Sequence, residues 1–129
     1  MILKLMTANE LLLEEEVTRL GAEAPGGSYV ILPRHIDMAA LQVAGLISLD
    51  RAEGETEWVA VDEGAVVKRG DTVWVAVRDA VRGGSLEDLE RAVEERFLQV
   101  DEQEKRARAA AARLEADFIR RYLEVRERA

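Results

Sequence analysis

The sequence of 129 residues contains no cysteine and only one histidine, His35. The absence of cysteine excludes disulfides, thiol catalysis and cysteine-based metal sites, and the chain is compatible with a reducing cytoplasm. No Gly-x-x-x-x-Gly-Lys-Ser/Thr phosphate loop is present, so ATP hydrolysis through such a loop is excluded.

Long apolar stretches are also missing. The longest uncharged stretch, residues 38–49, is too short to span a bilayer, so we expect membrane association only through a partner. The first residues do not place a basic segment before a long apolar run, and we therefore expect no signal peptide.

The charge is strongly negative and unevenly distributed. A net charge of −8 argues against nucleic-acid binding, which requires a basic face. Residues 1–85 contain 8 basic and 14 acidic residues, whereas residues 103–129 contain 8 basic and 5 acidic residues. The basic tail is either an ordinary solvated surface or a segment that docks on an acidic surface.

Residues 1–81 are predicted to form a β-sandwich domain. Short apolar segments alternate with turns about every ten residues, which is typical of an antiparallel sandwich or barrel. In the last of these segments Val73, Val75 and Val77 share one face. One stretch is ambiguous, because the acidic run 14–16 could instead begin a helix.

The composition changes after residues 82–85, which we predict to be a linker, because residues 86–129 contain neither Gly nor Pro. Ser85 and Asp88 resemble a capping box. Two apolar stripes follow at helical spacing: Leu86, Leu89, Val93, Phe97 and Val100, then Ala107, Ala111, Leu114, Phe118, Tyr122 and Val125. We therefore predict an α+β chain, with an antiparallel β-sandwich followed by an α-helical hairpin over 86–129. Asp101 with Glu104 is the candidate cap of the second helix. One unbroken helix is the alternative, because no Gly or Pro marks a corner.

The stretch Gly-Gly-Ser-Tyr-Val-Ile-Leu-Pro at 26–33, followed by His35, resembles a loop of the epsilon subunit of F-type ATP synthases. Residues 44–48, 61–68 and 71–77 resemble later strands of that family, and the match covers nearly the whole chain. The resemblance favours two strands for the ambiguous stretch. Arg34-His35-Ile36-Asp37 departs from the family's usual Gly-His-x-Pro and is similar to the divergent N-ATPase branch.

The resemblance implies a non-catalytic rotor subunit in the central stalk of a proton- or sodium-translocating ATP synthase. Its expected partners are the gamma subunit, the ring of c subunits and a catalytic beta subunit, on the cytoplasmic face of a bacterial membrane. The contact with the c ring and gamma would involve Ser28, Arg34 and His35. The helical hairpin would oppose ATP hydrolysis when it extends along gamma and permit turnover when it is compact.

Two further sets of residues are candidates for function. Some bacterial epsilon subunits bind ATP through an Ile/Leu-Asp-x-x-Arg-Ala pattern, which Asp88, Arg91 and Ala92 match in part, with Arg113 fitting a position in the second helix. An ordinary ion pair at i, i+3 also explains Asp88 and Arg91. Arg106, Arg113 and Arg120 recur every seven residues, so they lie on one helix face. That face is either solvated or docks on the beta subunit.

His35 and Asp37 have the residue types of a metal or acid–base pair, but no oriented third group is indicated. A partner contact is therefore the preferred interpretation, and we predict no catalytic residue, no metal and no cofactor other than regulatory ATP. The alternatives to the rotor subunit are a stand-alone ATP-binding regulatory protein and a helical scaffold that forms a coiled-coil dimer.

Overall fold

The computed structural model describes the backbone of residues 1–128, and the side chains of these residues except 99–104, 108, 112 and 126–128. It contains ten strands and two α-helices joined by a π-helical segment. The strands are β1 Ile2–Met6, β2 Leu11–Glu16, β3 Arg19–Ala24, β4 Gly27–Ile31, β5 Met38–Gln42, β6 Gly45–Asp50, β7 Thr56–Val61, β8 Gly64–Arg69, β9 Thr72–Val77 and β10 Ala80–Arg82. The helices are α1 Leu86–Ala92 and α2 Gln99–Arg128, with the π-helical segment at Val93–Leu98. The chain divides into two compact units, Met1–Phe97 and Leu98–Ala129.

The strands form the predicted sandwich of two five-stranded sheets. The first sheet has the order β2-β1-β9-β8-β5, and the second has the order β10-β7-β6-β3-β4. Pairing is antiparallel except between β1 and β9, which run parallel. The acidic run 14–16 belongs to β2, so the strand interpretation of this stretch is confirmed.

The core lies between the inner faces of the two sheets. The period-2 alternation of β9 buries Val73, Val75 and Val77, as the sequence pattern predicted. Leu3 and Leu5 of β1 and Leu20 of β3 join them in one cluster. Burial of this apolar surface is the main stabilisation of the sandwich, because each buried Leu or Val side chain contributes about 1.5–3 kcal/mol.

Helix α1 begins at the predicted capping box. The Ser85 hydroxyl accepts a hydrogen bond from the Asp88 N–H at 3.1 Å, and the Asp88 carboxylate accepts one from the Ser85 N–H at 3.3 Å. Together these bonds satisfy two amide groups that the helix itself leaves unpaired. The box confirms the predicted start of the helical region.

Three residues of the first apolar stripe pack on the outer face of the second sheet, whereas Leu86 of the same stripe is exposed. Leu89, Val93 and Phe97 form a second buried cluster with Ala60 of β7, and Leu46 and Val81 pack at its edge. Arg96 of the π-helical segment also pairs with Asp79 at 2.7 Å. The unit Met1–Phe97 therefore contains the sandwich and the helical residues that cover part of one sheet.

The second unit contains the 30-residue helix α2. Its described apolar residues are exposed, including Leu114, Phe118, Tyr122 and Val125. The two predicted C-terminal helices are thus present, and residues 86–128 are helical without an intervening non-helical residue. The side chains of Val100, Asp101 and Glu104 lie outside the described residues. Among the described residues, no helix is long and apolar enough to cross a membrane.

Candidate docking sites

Residues 32–37 connect the two sheets at one end of the sandwich, because β4 belongs to the second sheet and β5 to the first. Arg34, His35 and Ile36 are exposed in this loop. Ser28 is also exposed, but it pairs with Glu23 beside the β3–β4 turn, at the other end of β4. At about 3.3 Å per residue, roughly 13 Å separates Ser28 from Leu32, the first residue of the loop. The structure therefore brings Arg34 and His35 together and leaves Ser28 apart from them.

The loop is fastened to the turn between β8 and β9. Lys68, which is 2% exposed, donates hydrogen bonds from its ammonium group to the carbonyls of His35 at 2.5 Å and Gly70 at 2.7 Å. The Gly70 N–H in turn donates to the Asp37 carboxylate at 2.8 Å. Gly70 has a φ of 59°, the left-handed conformation that glycine adopts most readily. This arrangement joins the loop and the turn into one structural unit.

The outer face of the first sheet is an apolar surface that the sequence reasoning did not identify. One cross-strand row, Leu41–Ala65–Ala76–Met6–Leu11, contains only apolar residues. The adjacent row begins Ala39–Val67–Trp74 and ends in the Lys4–Glu14 ion pair. We call these apolar residues the sheet face.

Several side chains of the sheet face are open to solvent: Leu41 is 66%, Leu11 51% and Val67 39% exposed. The run Ala65-Val66-Val67 could have indicated this surface from the sequence, because a strand that is apolar on both faces is normally covered on both. An apolar surface that crosses a whole sheet is typical of a protein–protein contact.

A network of ion pairs and hydrogen bonds connects the two sheets of the sandwich. Glu57 of β7 accepts hydrogen bonds from Arg82 at 2.8 Å and from Arg51 at 3.0 Å. Arg51 also pairs with Glu15 of β2, and Arg82 donates to the Leu12 carbonyl. The network therefore ties β2 in one sheet to β7 and β10 in the other. It borders a cleft of about 770 Å³ beside α1, in which both arginines are already paired with carboxylates.

Protonation of Glu57 should weaken this network. The hydrogen bond from Arg82 lowers the pKa of Glu57 and the bond from Arg51 adds to this, against the opposing effect of burial. The stabilisation is therefore complete above the unfolded-state pKa, and it is lost as the pH falls from about 4.3 through the lower folded-state pKa. We expect Glu57→Gln to lower the free energy of unfolding by about 1 kcal/mol at pH 7. Urea denaturation at pH 7 and pH 3.5 checks this, and a difference from wild type that persists unchanged at pH 3.5 would contradict it.

The residues predicted for ATP binding lie in different surroundings. Asp88 caps α1 and its carboxylate lies 3.9 Å from Arg91, with both side chains exposed. Ala92 packs against the cluster around Ala60. Arg113 is exposed on α2, in the other compact unit. ATP binding by these residues stays a prediction, which calorimetry of the purified chain with ATP would test.

The basic face predicted on the second helix lies entirely on α2. Arg106, Arg113 and Arg120 are exposed, and at 1.5 Å per residue they are spaced by about 10 Å along one face. Arg120 pairs with Asp117 of the preceding turn at 3.3 Å. The helix therefore presents cations beside its exposed apolar residues.

In the part of the chain that the structure describes, no side chains are arranged to bind a metal ion. No group of three His, Asp or Glu side chains is placed there to hold a metal ion. The His35 ring nitrogen Nδ1 lies 2.8 Å from the Ile36 carbonyl, and Asp37 bonds to Gly70. The two side chains thus make separate backbone contacts.

Comparison with known proteins identifies the family. Residues 1–83 match the sequence profile described as "ATP synthase, Delta/Epsilon chain, beta-sandwich domain". The chain is 33% identical to the "ATP synthase epsilon chain 2" of Cereibacter sphaeroides, over 98% of this chain and 88% of that one. It is 30% identical to the protein of the same name in Paraburkholderia xenovorans, over 90% of this chain and 84% of that one. An ATP synthase epsilon chain of Nitratidesulfovibrio vulgaris is 32% identical over 85% of each chain.

Solved structures share the fold. A chain in the cryo-EM structure of the Euglena gracilis mitochondrial ATP synthase, which contains OSCP, F1 and the c ring, matches with a TM-score of 0.62 and 21% identity. The match covers 73% of this chain and 61% of that one. A chain of the Tetrahymena thermophila mitochondrial ATP synthase, from its central stalk and c ring, gives a TM-score of 0.54 and 16% identity, over 63% and 65% of the two chains. The sandwich, the helical region and these similarities lead to one conclusion: this chain belongs to the ATP synthase delta/epsilon chain family, among its epsilon chains.

Proposed function

We propose that the chain is a non-catalytic central-stalk subunit of a bacterial rotary ATP synthase, where it connects the gamma subunit to the ring of c subunits. Membership in the family supports the assembly, and two exposed surfaces of the sandwich support the two contacts. In this role the chain passes torque between proton or sodium flow through the ring and the catalytic head. It is attached to the cytoplasmic face of the membrane only through the complex.

The sheet face is the single observation that carries this proposal. It offers apolar side chains from all five strands of the first sheet, and the hydrophobic effect favours covering such a surface with a partner. We assign this surface to the gamma subunit, because a flat apolar face suits a contact that must stay fixed during rotation. The exposed loop 32–37, at the end of the sandwich, is assigned to the c ring.

Substitution of Val67 should test the assignment to gamma. Val67→Glu places a carboxylate within the apolar contact, and burying that charge without a partner should weaken binding to gamma at least tenfold, which is about 1.4 kcal/mol. Val30→Glu is the matched control: Val30 is 42% exposed, close to the 39% of Val67, and it lies in the second sheet. Tagged variants are purified from detergent-solubilised membranes, and their companions are quantified by mass spectrometry.

In that experiment, wild type and Val30→Glu should retain the gamma, alpha, beta and c subunits, and Val67→Glu should lose most of them. Recovery of the chain alone, or only with itself, would contradict the rotor proposal and favour a stand-alone protein. Equal recovery with both glutamate variants would contradict the assignment of the sheet face.

We also propose that α2 acts as a brake on ATP hydrolysis. The observation in favour is the pairing of exposed apolar residues with a basic face on the same helix, which fits an acidic surface such as that expected on a beta subunit. A switch of this kind needs two states within a few kcal/mol of each other, so that both are populated. Deletion of α2 is expected to change the rate of ATP hydrolysis by the assembled complex strongly.

A further inference from the structure

The charge of Lys68 is hard to explain by packing alone. Its strand, β8, points Val66 and Lys68 toward the same inner face of the sandwich, and an apolar residue at this position would avoid the cost of burying an ammonium group. That cost is large unless the ion is well hydrogen-bonded. The ammonium does make such bonds, to the His35 and Gly70 carbonyls. We therefore look for the function of Lys68 in the two segments that these bonds join, the loop at His35 and the turn at Gly70.

The bonds hold the loop that we assign to the c ring. Lys68 fixes the His35 carbonyl from inside the sandwich, while Asp37 fixes the Gly70 N–H from the surface. The His35 N–H donates to the Leu32 carbonyl at 2.9 Å and closes the turn within the loop. Both ends of the loop are also anchored, because β4 pairs with β3 at Ile31 and β5 pairs with β8 at Met38. The loop backbone is thus constrained along its length.

This constraint leaves particular side chains facing outward. Ile36 is 78% and Leu32 52% exposed, and Arg34 makes no ion pair within the described part of the chain. One oxygen of the exposed Asp37 carboxylate accepts the Gly70 amide, and Lys68 is buried. The loop therefore presents apolar side chains beside a cation. A surface that combines an apolar contact with carboxylate or backbone carbonyl acceptors would fit it.

We propose that Lys68 and Asp37 are positioning residues that hold loop 32–37 in its binding conformation for acceptor-bearing loops of the c ring. This inference rests on the proposed function. Ordering a loop before binding removes part of the entropic cost of association, since each backbone residue that must be fixed loses conformational entropy. Because Lys68 follows Val67 in β8, the same strand also links the loop to the sheet face. A rigid connection between the two surfaces is what transmission of torque requires.

The test uses the full-length chain with Lys68→Met, which removes the ammonium but keeps an unbranched side chain of similar length. We expect the variant to fold, to show faster amide hydrogen exchange at His35 and Gly70, and to bind the purified, detergent-solubilised c ring about tenfold more weakly. Binding to the gamma subunit should be unchanged, a result that a general loss of folding would not give. Lys4→Met, at a lysine paired with Glu14 on the surface, is the matched control for the affinity for the c ring.

Asp37→Ala provides a second variant in case Lys68→Met does not fold, because Asp37 is exposed and its loss removes only the bond to Gly70. We expect it to bind the c ring about threefold more weakly. If exchange in the loop rises while affinity for the c ring stays at the wild-type value, the positioning role is overturned. If wild type binds gamma but not the c ring, the proposed contact with the c ring fails, and the inference falls with it.

Discussion

Removal of residues 98–129 is expected to raise the ATPase activity of the assembled complex about tenfold, if the brake holds roughly nine complexes in ten in the inhibited state. Such a population corresponds to a gap of about 1.3 kcal/mol between the two states. The truncation follows Phe97, which is 1% exposed and belongs to the buried cluster on the second sheet. A shorter chain that ended at residue 85 would uncover Ala60 and Leu46, and would confuse loss of the brake with damage to the sandwich.

A triple variant separates the basic face from the rest of α2. Arg106→Ala with Arg113→Ala and Arg120→Ala keeps the helix but removes the three aligned charges, so it should reproduce most of the activation. The measurement is steady-state ATP hydrolysis by membranes or purified complex, normalised to the amount of catalytic subunit. An unchanged rate of ATP hydrolysis in the complex with the truncated chain would contradict the proposed brake. Activation by truncation but not by the triple variant would show that the apolar residues, rather than the arginines, make the contact.

Gly64→Ala should be among the most destabilising single substitutions in the sandwich, at about 3 kcal/mol. A Cβ atom at Gly64 would lie against the Ala76 carbonyl oxygen and 2.7 Å from the Val77 Cα. These are backbone atoms of the paired strand β9, so they cannot move aside as a flexible side chain would. Relief of the clash requires β8 and β9 to separate locally, at the cost of ladder hydrogen bonds and core packing.

Gly26→Ala is the control for this prediction, because a Cβ atom there meets nothing within 4 Å. Its effect on the free energy of unfolding should stay within about 0.5 kcal/mol. Urea denaturation of the purified chains, followed by tryptophan fluorescence from Trp58 and Trp74, measures both variants. Similar midpoints for Gly64→Ala and wild type would mean that the two strands can separate at little cost.

Much of the fold followed from local patterns in the sequence. The alternation Val73, Val75, Val77 predicted a strand with one buried face, because side chains of an extended chain point alternately to opposite sides. Ser85 and Asp88 predicted the helix start, since a capping box depends only on residues within one turn. Leu89, Val93 and Phe97 were predicted to share a buried face, and they do. Features determined by neighbours in sequence were therefore predictable.

Features that depend on pairing between distant parts of the sequence were not predictable. The parallel contact of β1 with β9 joins residues about 70 positions apart, and no local pattern specifies which strands become neighbours. The sheet face exists only because Leu41, Ala65, Ala76, Met6 and Leu11 come into register across five strands. In the sequence each looked like an ordinary apolar residue of a short strand.

The candidate site divides in the same way. The sequence determined the family resemblance, the strand and helix regions, and the exposed pair Arg34 and His35, because these rest on residue order and local conformation. The tertiary structure alone decided that Ser28 lies away from that pair, and that Lys68 reaches 33 residues along the chain to hold the His35 carbonyl. Side-chain hydrogen bonds of this kind depend on two sheets being closed over one core, and that closure is set by the packing of the whole sandwich rather than by any single stretch.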